Sequence, residues 1–172
     1  MGLRRLLRTA MLIIASGIAG VQAQPWSTMT IVGQADLKFL FWPVYDAKLF
    51  SETNTFLFPE TRPYALSLTY KRDFRGRDLV QETTRQWQKM GIPVEQSWLE
   101  QLGGLLPDVE QGDEITLYVD RNAASTFYFN GEKLGLINDP LFSREFSAIW
   151  LSEKTTRPEF RQALLIGTGD DV

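Results

Sequence analysis

The chain has 172 residues, a formal net charge of −3, and neither cysteine nor histidine. The length supports one domain with a real core. The composition removes the usual general base near neutral pH, the commonest zinc ligand, the thiol nucleophile and any disulfide. No basic face of the kind that grips a phosphate backbone is present, so nucleic acid is not expected as a partner.

The N-terminus reads as a segment to be removed. Arg4, Arg5 and Arg8 form a basic start, Ala10 to Val21 carries no charge, and Val21 and Ala23 are small residues at the two positions a signal peptidase reads. This is the pattern of a secretory signal, with cleavage expected after Ala23. The apolar run is well short of the roughly 20 residues that span a bilayer, so no stable membrane insertion is expected after cleavage. Three of the 18 Lys and Arg leave with the segment, so 15 face 21 Asp and Glu, a net charge of −6 for Gln24–Val172. With no cysteine to carry a lipid, the expected location is the periplasm.

Next comes a series of strands. In "ADLKFLFW", Ala35, Leu37, Phe39 and Phe41 alternate with Asp36, Lys38, Leu40 and Trp42, which predicts one strand with an apolar face. Pro43 interrupts it at a bulge or bend, and "VYDAKLF" resumes with Tyr45, Ala47 and Leu49 on one face. "YALSLTYKRDF" alternates Tyr64, Leu66, Leu68 and Tyr70 with smaller or polar residues.

The period then changes. Leu79, Thr83, Trp87 and Met90 lie on one helical stripe, and Gly91 ends it. A second helix is predicted from Pro93 to Pro107, with Val94, Trp98, Leu102 and Leu105 inward and Gly103-Gly104 as a break near its end. Asp108, Glu110, Asp113 and Glu114 lack the ordered spacing of a calcium loop and read as a solvated acidic turn. "DEITLYVD" returns to period two. "STFYF" and "KLGLI" flank Asn130-Gly131, the strongest short hairpin signal. Asp139 is placed to cap a helix that Pro140 begins, with Phe142, Phe146, Ile149 and Trp150 on its apolar stripe. A last helix is predicted after a Thr156/Glu159 capping box, with Phe160, Leu164 and Leu165 inward and Gly167 as its end. Strands, two helices, strands, two helices is an α+β pattern: an antiparallel sheet with helices on one face, in a single domain.

The chain has no nucleophile elbow and no phosphate loop. What remains is hydrogen bonding and positive charge. Tyr45 points its hydroxyl into a cleft or into water. Tyr70 and Arg72 line a polar mouth, or Arg72 pairs with Asp73. Trp87, Trp98 and Trp150 serve as core or as ligand platform, and the Phe142–Phe146 stripe seals the core or walls an apolar pocket.

The segments "VGQADLKFLFWPVYDAKLF", "ALSLTYKRDF", "QETTRQWQKMGI" and "NGEKLGLINDPLFSREFSAIWLS" together resemble the bacterial chalcone isomerase-like proteins over nearly the whole mature chain. The resemblance implies an open-faced β-sandwich with a cleft between sheet and helices. Plant members cyclise chalcones by intramolecular Michael addition, while other members bind fatty acids and catalyse nothing. The plant enzymes hold the attacking oxygen with an early-strand arginine, but this chain has none between Arg8 and Arg62, and Lys38 lacks the planar fork. Arg75 and Glu82 fall where those enzymes carry a tyrosine and an asparagine. Phe142 falls near one threonine position, and Tyr45 near another.

No catalytic residue, metal or cofactor is therefore assigned. Tyr45, Tyr70, Arg72, Phe142 and Phe146 are the candidate contacts for a small apolar or fatty-acid-like ligand. An isomerase on another substrate, and an interaction module with a filled cleft, are the other two readings. Protein recovered from the periplasm should begin at Gln24 by intact mass. A mature chain that retains Arg4 would refute export by this signal.

Overall fold

The computed structural model describes residues 23–166. The expected signal segment before Ala23 and the helix end assigned to Gly167 lie outside the described residues. Six strands form one antiparallel sheet in sequence order: β1 (Thr30–Phe39), β2 (Trp42–Ser51), β3 (Tyr64–Tyr70), β4 (Glu114–Val119), β5 (Ser125–Phe129) and β6 (Glu132–Ile137). Helices α1 (Gly76–Met90) and α2 (Gln96–Leu105) are inserted between β3 and β4, and α3 (Pro140–Leu151) and α4 (Pro158–Leu165) follow β6. This is the α+β, open-faced arrangement that the change of period predicts.

Register explains the two faces. One row across the sheet reads Gly33, Leu49, Leu66, Leu117, Phe127 and Gly135, and the row beside it contains Ala35, Ala47, Leu68 and Ile115. These rows face the helices. The opposite face carries Gln34, Lys48, Ser67, Thr116 and Tyr128, with Ser67 and Thr116 sharing a hydrogen bond of 2.8 Å between their hydroxyls. Polar side chains dominate that face, and Trp26 packs on its Tyr128 with ring centres 4.8 Å apart.

The first sheet edge corrects the sequence reading. "ADLKFLFW" is not one strand. Phe39 pairs with Trp42 across a two-residue turn, and Leu40 takes φ 56°. The apolar alternation runs straight through this turn, which lacks the glycine, asparagine or proline that marks one. Phe39 and Phe41, expected on the apolar face, are exposed. The bulge expected at Pro43 is present: Leu37 pairs with Tyr45 and Lys38 with Pro43, leaving Val44 as the extra residue.

The helix ends follow local chemistry. Gly91 closes α1 at φ 69°, and its N–H and that of Ile92 donate to the carbonyls of Gln88 and Trp87. The first amide of α1, that of Gly76, donates to Asp108 Oδ1 at 2.8 Å, so one of the acidic residues in the turn serves a helix start. α2 begins three residues after Pro93, and Gly103-Gly104 lie inside its last turn rather than breaking it. Asp139 caps α3 by accepting from the amides of Leu141 and Phe142 at 2.9 and 3.2 Å. The Thr156/Glu159 capping box does not form. Pro158 sets the first helical position, which moves the cap to Arg157, and the Thr156 hydroxyl donates to Gln86 Oε1 at 2.6 Å instead.

Helices and sheet meet over an aromatic core. Trp87, Trp98, Phe127, Phe142 and Phe146 are buried, with Phe142 and Phe146 stacked at 5.3 Å. Burying a side chain of this size contributes about 1.5–3 kcal/mol. The indole N–H groups are satisfied, Trp87 by the Glu145 carbonyl at 2.8 Å and Trp98 by Asp139 Oδ2 at 2.9 Å.

Asn130 and Gly131 close the β5–β6 hairpin with φ of 49° and 85°. Both central residues have the positive φ of a type I′ turn. Gly131→Val should therefore lower stability by about 1 kcal/mol or more, measured by denaturant unfolding. An unchanged midpoint would contradict the strain argument.

Candidate functional site

Between the sheet and the helices lies a cleft of about 530 Å³. Leu66 and Leu68 of β3, Ile115 and Leu117 of β4 and Phe127 of β5 form its floor. Leu79 and Thr83 of α1, Phe146, Ile149 and Trp150 of α3, and Phe160 of α4 form its roof. At the mouth stand Arg72, Arg85, Lys89 and Arg157, with Asp78 and Glu82 among them. The site is thus an apolar chamber with a charged rim.

Of the five residues singled out from sequence, four line this chamber: Tyr45, Tyr70, Arg72 and Phe146. Phe142 does not reach it. One helical turn before Phe146, it is fully buried between Trp98, Trp87 and Phe127 and belongs to the core. Arg72 makes no pair with Asp73, whose carboxylate instead accepts from the Gln111 amide at 3.0 Å. The Arg72 guanidinium lies 5.7 Å from the centre of the Phe74 ring, a cation–π contact.

The two cleft tyrosines differ in their bonding. The Tyr45 hydroxyl accepts from Trp150 Nε1 at 2.8 Å, so Trp150 both walls the chamber and fixes that ring. The Tyr70 ring lies 5.9 Å from that of Tyr45, and no described residue hydrogen-bonds its hydroxyl. Burial pushes the Tyr45 phenol up to about 12, and the Trp150 hydrogen bond and nearby Arg157 offset that only in part. Burial also raises Tyr70, and the adjacent Tyr45 adds to the effect. Both phenols stay protonated at any ordinary pH, so they can donate a hydrogen bond but supply no base.

Glu82 lines the cleft, accepting from Gln86 Nε2 at 2.6 Å and paired with Arg85. Arg75 is at the start of α1 and does not line the chamber. Lys38 is exposed, and Leu37 and Phe39 on either side of it line the cleft without it. Sequence reasoning missed Arg157. Its place before Pro158 was a usable signal, because proline at a first helical position puts the preceding residue at the cap.

A single antiparallel sheet, helices on one face and an apolar cleft between them define an open-faced β-sandwich of chalcone isomerase type. The chain belongs to the chalcone isomerase-like family, whose model matches residues 44–166. It is 28% identical over 145 residues to an uncharacterized protein of Haemophilus influenzae, covering 83% of this chain and 71% of that one. The crystal structure of an Arabidopsis thaliana fatty-acid binding protein superposes with a TM-score of 0.64 at 12% identity, covering 84% of this chain and 90% of that one.

Burial also raises Tyr64, Tyr118 and Tyr128, so all five tyrosines are shifted upward. A folded pKa above the unfolded value of about 10 gives stability that is complete below pH 10 and is lost as pH rises toward 12. Phenolate absorbance from the three buried rings, Tyr45, Tyr64 and Tyr70, should therefore appear late and together with loss of folded circular dichroism, after the more accessible Tyr118 and Tyr128 have ionised. Reversible titration of more than two tyrosines near pH 10 in folded protein would contradict this.

Proposed function

We propose that this protein is exported and binds an amphipathic, fatty-acid-like molecule in the cleft without transforming it. The observation that carries the reading is a chamber of about 530 Å³ with an apolar floor and its cations at the rim. That volume lies within the range of small-molecule sites. An acyl chain entering it leaves water at about 0.8 kcal/mol per buried methylene. A carboxylate left at the mouth would meet Arg72 and Arg157, and the Tyr70 hydroxyl offers a donor one layer inside. The name of the Arabidopsis fold relative supports the same ligand class.

The chemistry of the cleft argues against cyclisation. That route passes through a phenolate, which needs a fixed cation at the reacting oxygen. The first two strands carry no arginine, and Glu82 adds negative charge to the cleft wall. An open chamber favours a small-molecule ligand over an interaction module with a filled cleft.

Displacement of an anthroyloxy-labelled fatty acid by palmitic acid should be saturable with one site per chain. Leu117→Trp, which fills the floor, should weaken it. Purified protein should leave the absorbance of a hydroxychalcone at its background decay. Absence of saturable binding would refute the ligand reading. Chalcone decay proportional to protein and abolished by Arg72→Ala or Arg157→Ala would refute the non-catalytic one.

A further inference from the structure

The β1–β2 turn presents four large apolar residues in a row to solvent: Phe39, Leu40, Phe41 and Trp42 are 60, 77, 94 and 66% exposed. Folding gains little from them there. Leu40 takes φ 56°, a conformation that favours glycine and disfavours a long side chain. The β5–β6 hairpin of the same chain meets its own two-residue turn with Asn-Gly. The first hairpin thus keeps apolar bulk where the local backbone asks for something else.

We propose that this hairpin tip docks the protein on the surface of a lipid bilayer containing anionic lipids, with the mouth of the cleft beside the bilayer. The tip is continuous with the cleft, because Phe39 belongs to both. Lys38 just behind the tip, and Arg72 and Arg157 at the mouth, are in no ion pair among the described residues. These cations suit anionic headgroups within a Debye length, although the chain as a whole is acidic. Pairing of Phe39 with Trp42 satisfies only the inward-facing backbone groups of the ribbon, and the outward-facing ones need water or headgroups. Insertion is therefore limited to the interfacial depth that Trp and Phe favour. No helix among the described residues is long and apolar enough to cross a membrane, so the attachment is peripheral. A protruding tip of four side chains is also small beside the roughly 800 Å² per partner of a stable protein interface. Docking rests on the hairpin alone. Its purpose, passing an acyl chain between bilayer and cleft without crossing water, rests on the ligand reading above.

The test is flotation of ligand-free protein with vesicles of phosphatidylethanolamine and phosphatidylglycerol. The native chain should float with them, and emission should shift to the blue with Trp42 as its source, since Trp26, Trp87 and Trp98 are buried and Trp150 is half-buried. Trp42→Phe should remove most of that shift. Leu40→Gly with Phe41→Ser suits the positive φ and should preserve folding and fatty-acid binding. It should weaken vesicle binding about tenfold or more, the loss expected from one or two large apolar contacts. Should that variant misfold, quenching of native Trp42 by bromolipid decides instead. A native chain that stays off the vesicles, unquenched Trp42, or vesicle binding unchanged in the folded double variant would overturn the proposal. So would self-association abolished by the double variant, which would assign the tip to a second copy. Fatty-acid binding that fails while flotation holds would refute only the ligand reading.

Discussion

The fold depends on how closely two helices approach the two edges of one sheet. At β1, a Cβ on Gly33 would lie 2.4 Å from the backbone oxygen of Leu164, so α4 rests its main chain on the strand. At β6, a Cβ on Gly135 would lie 2.3 Å from the Leu105 side chain of α2. Both glycines end the same cross-strand row, which between them carries Leu49, Leu66, Leu117 and Phe127. The α4 main chain lies low over Gly33, the Leu105 side chain of α2 fills the space over Gly135, and large side chains separate helices from sheet between them. The cleft is the space left over the middle. Its openness is a consequence of residue size along one register row rather than of any single wall.

Standing helices off a sheet leaves their positions to be fixed by other contacts, and aromatic and polar anchors do this. Trp87 reaches α3 at Glu145, and Trp98 reaches the α3 cap at Asp139. Asp139 consequently carries three hydrogen bonds at once, and the one from the Trp98 indole contributes most to holding its carboxyl below the usual range. The Tyr64 hydroxyl donates to Ser147 at 2.6 Å, and Ser125 and Ser143 share a bond of 2.6 Å, tying α3 to β3 and β5. Buried hydroxyls of this kind have few alternative partners, so they fix helix position more sharply than apolar contact does.

Much of this was legible in the sequence where the pattern and the chemistry agreed. Asn130-Gly131, Asp139-Pro140 and the Leu79–Met90 stripe each state both a period and its terminator, and each forms as read. Tyr45, Tyr70, Arg72 and Phe146 were legible as chamber residues because strand alternation and the helix stripe both face the same layer. Phe142 was not, because a stripe gives a face but not a depth, and one helical turn separates core from chamber. The β1–β2 hairpin was hidden for a different reason. Its turn residues continue the apolar alternation, so only pairing across space distinguishes turn from strand. Thr156 failed as a cap because its hydroxyl had a better partner in Gln86, seventy residues away in the chain.

The same burial that shapes the cleft limits its chemistry. Removal from water lifts the Tyr45 phenol to about 12 even with an indole hydrogen bond and an arginine nearby. A ligand phenol at the same depth would meet the same desolvation, and its ionised form would be disfavoured for the same reason. Catalysis through a phenolate at that depth therefore requires a cation fixed beside the reacting oxygen, strong enough to reverse the shift. In this chain the cations stand at the rim, where water screens them, and the Glu82 carboxylate stands among them. A neutral chain can occupy the floor without that penalty, while its charged end stays where the arginines and the solvent are. The distribution of charge with depth, more than the identity of any one residue, is what the proposed holding of a ligand rests on.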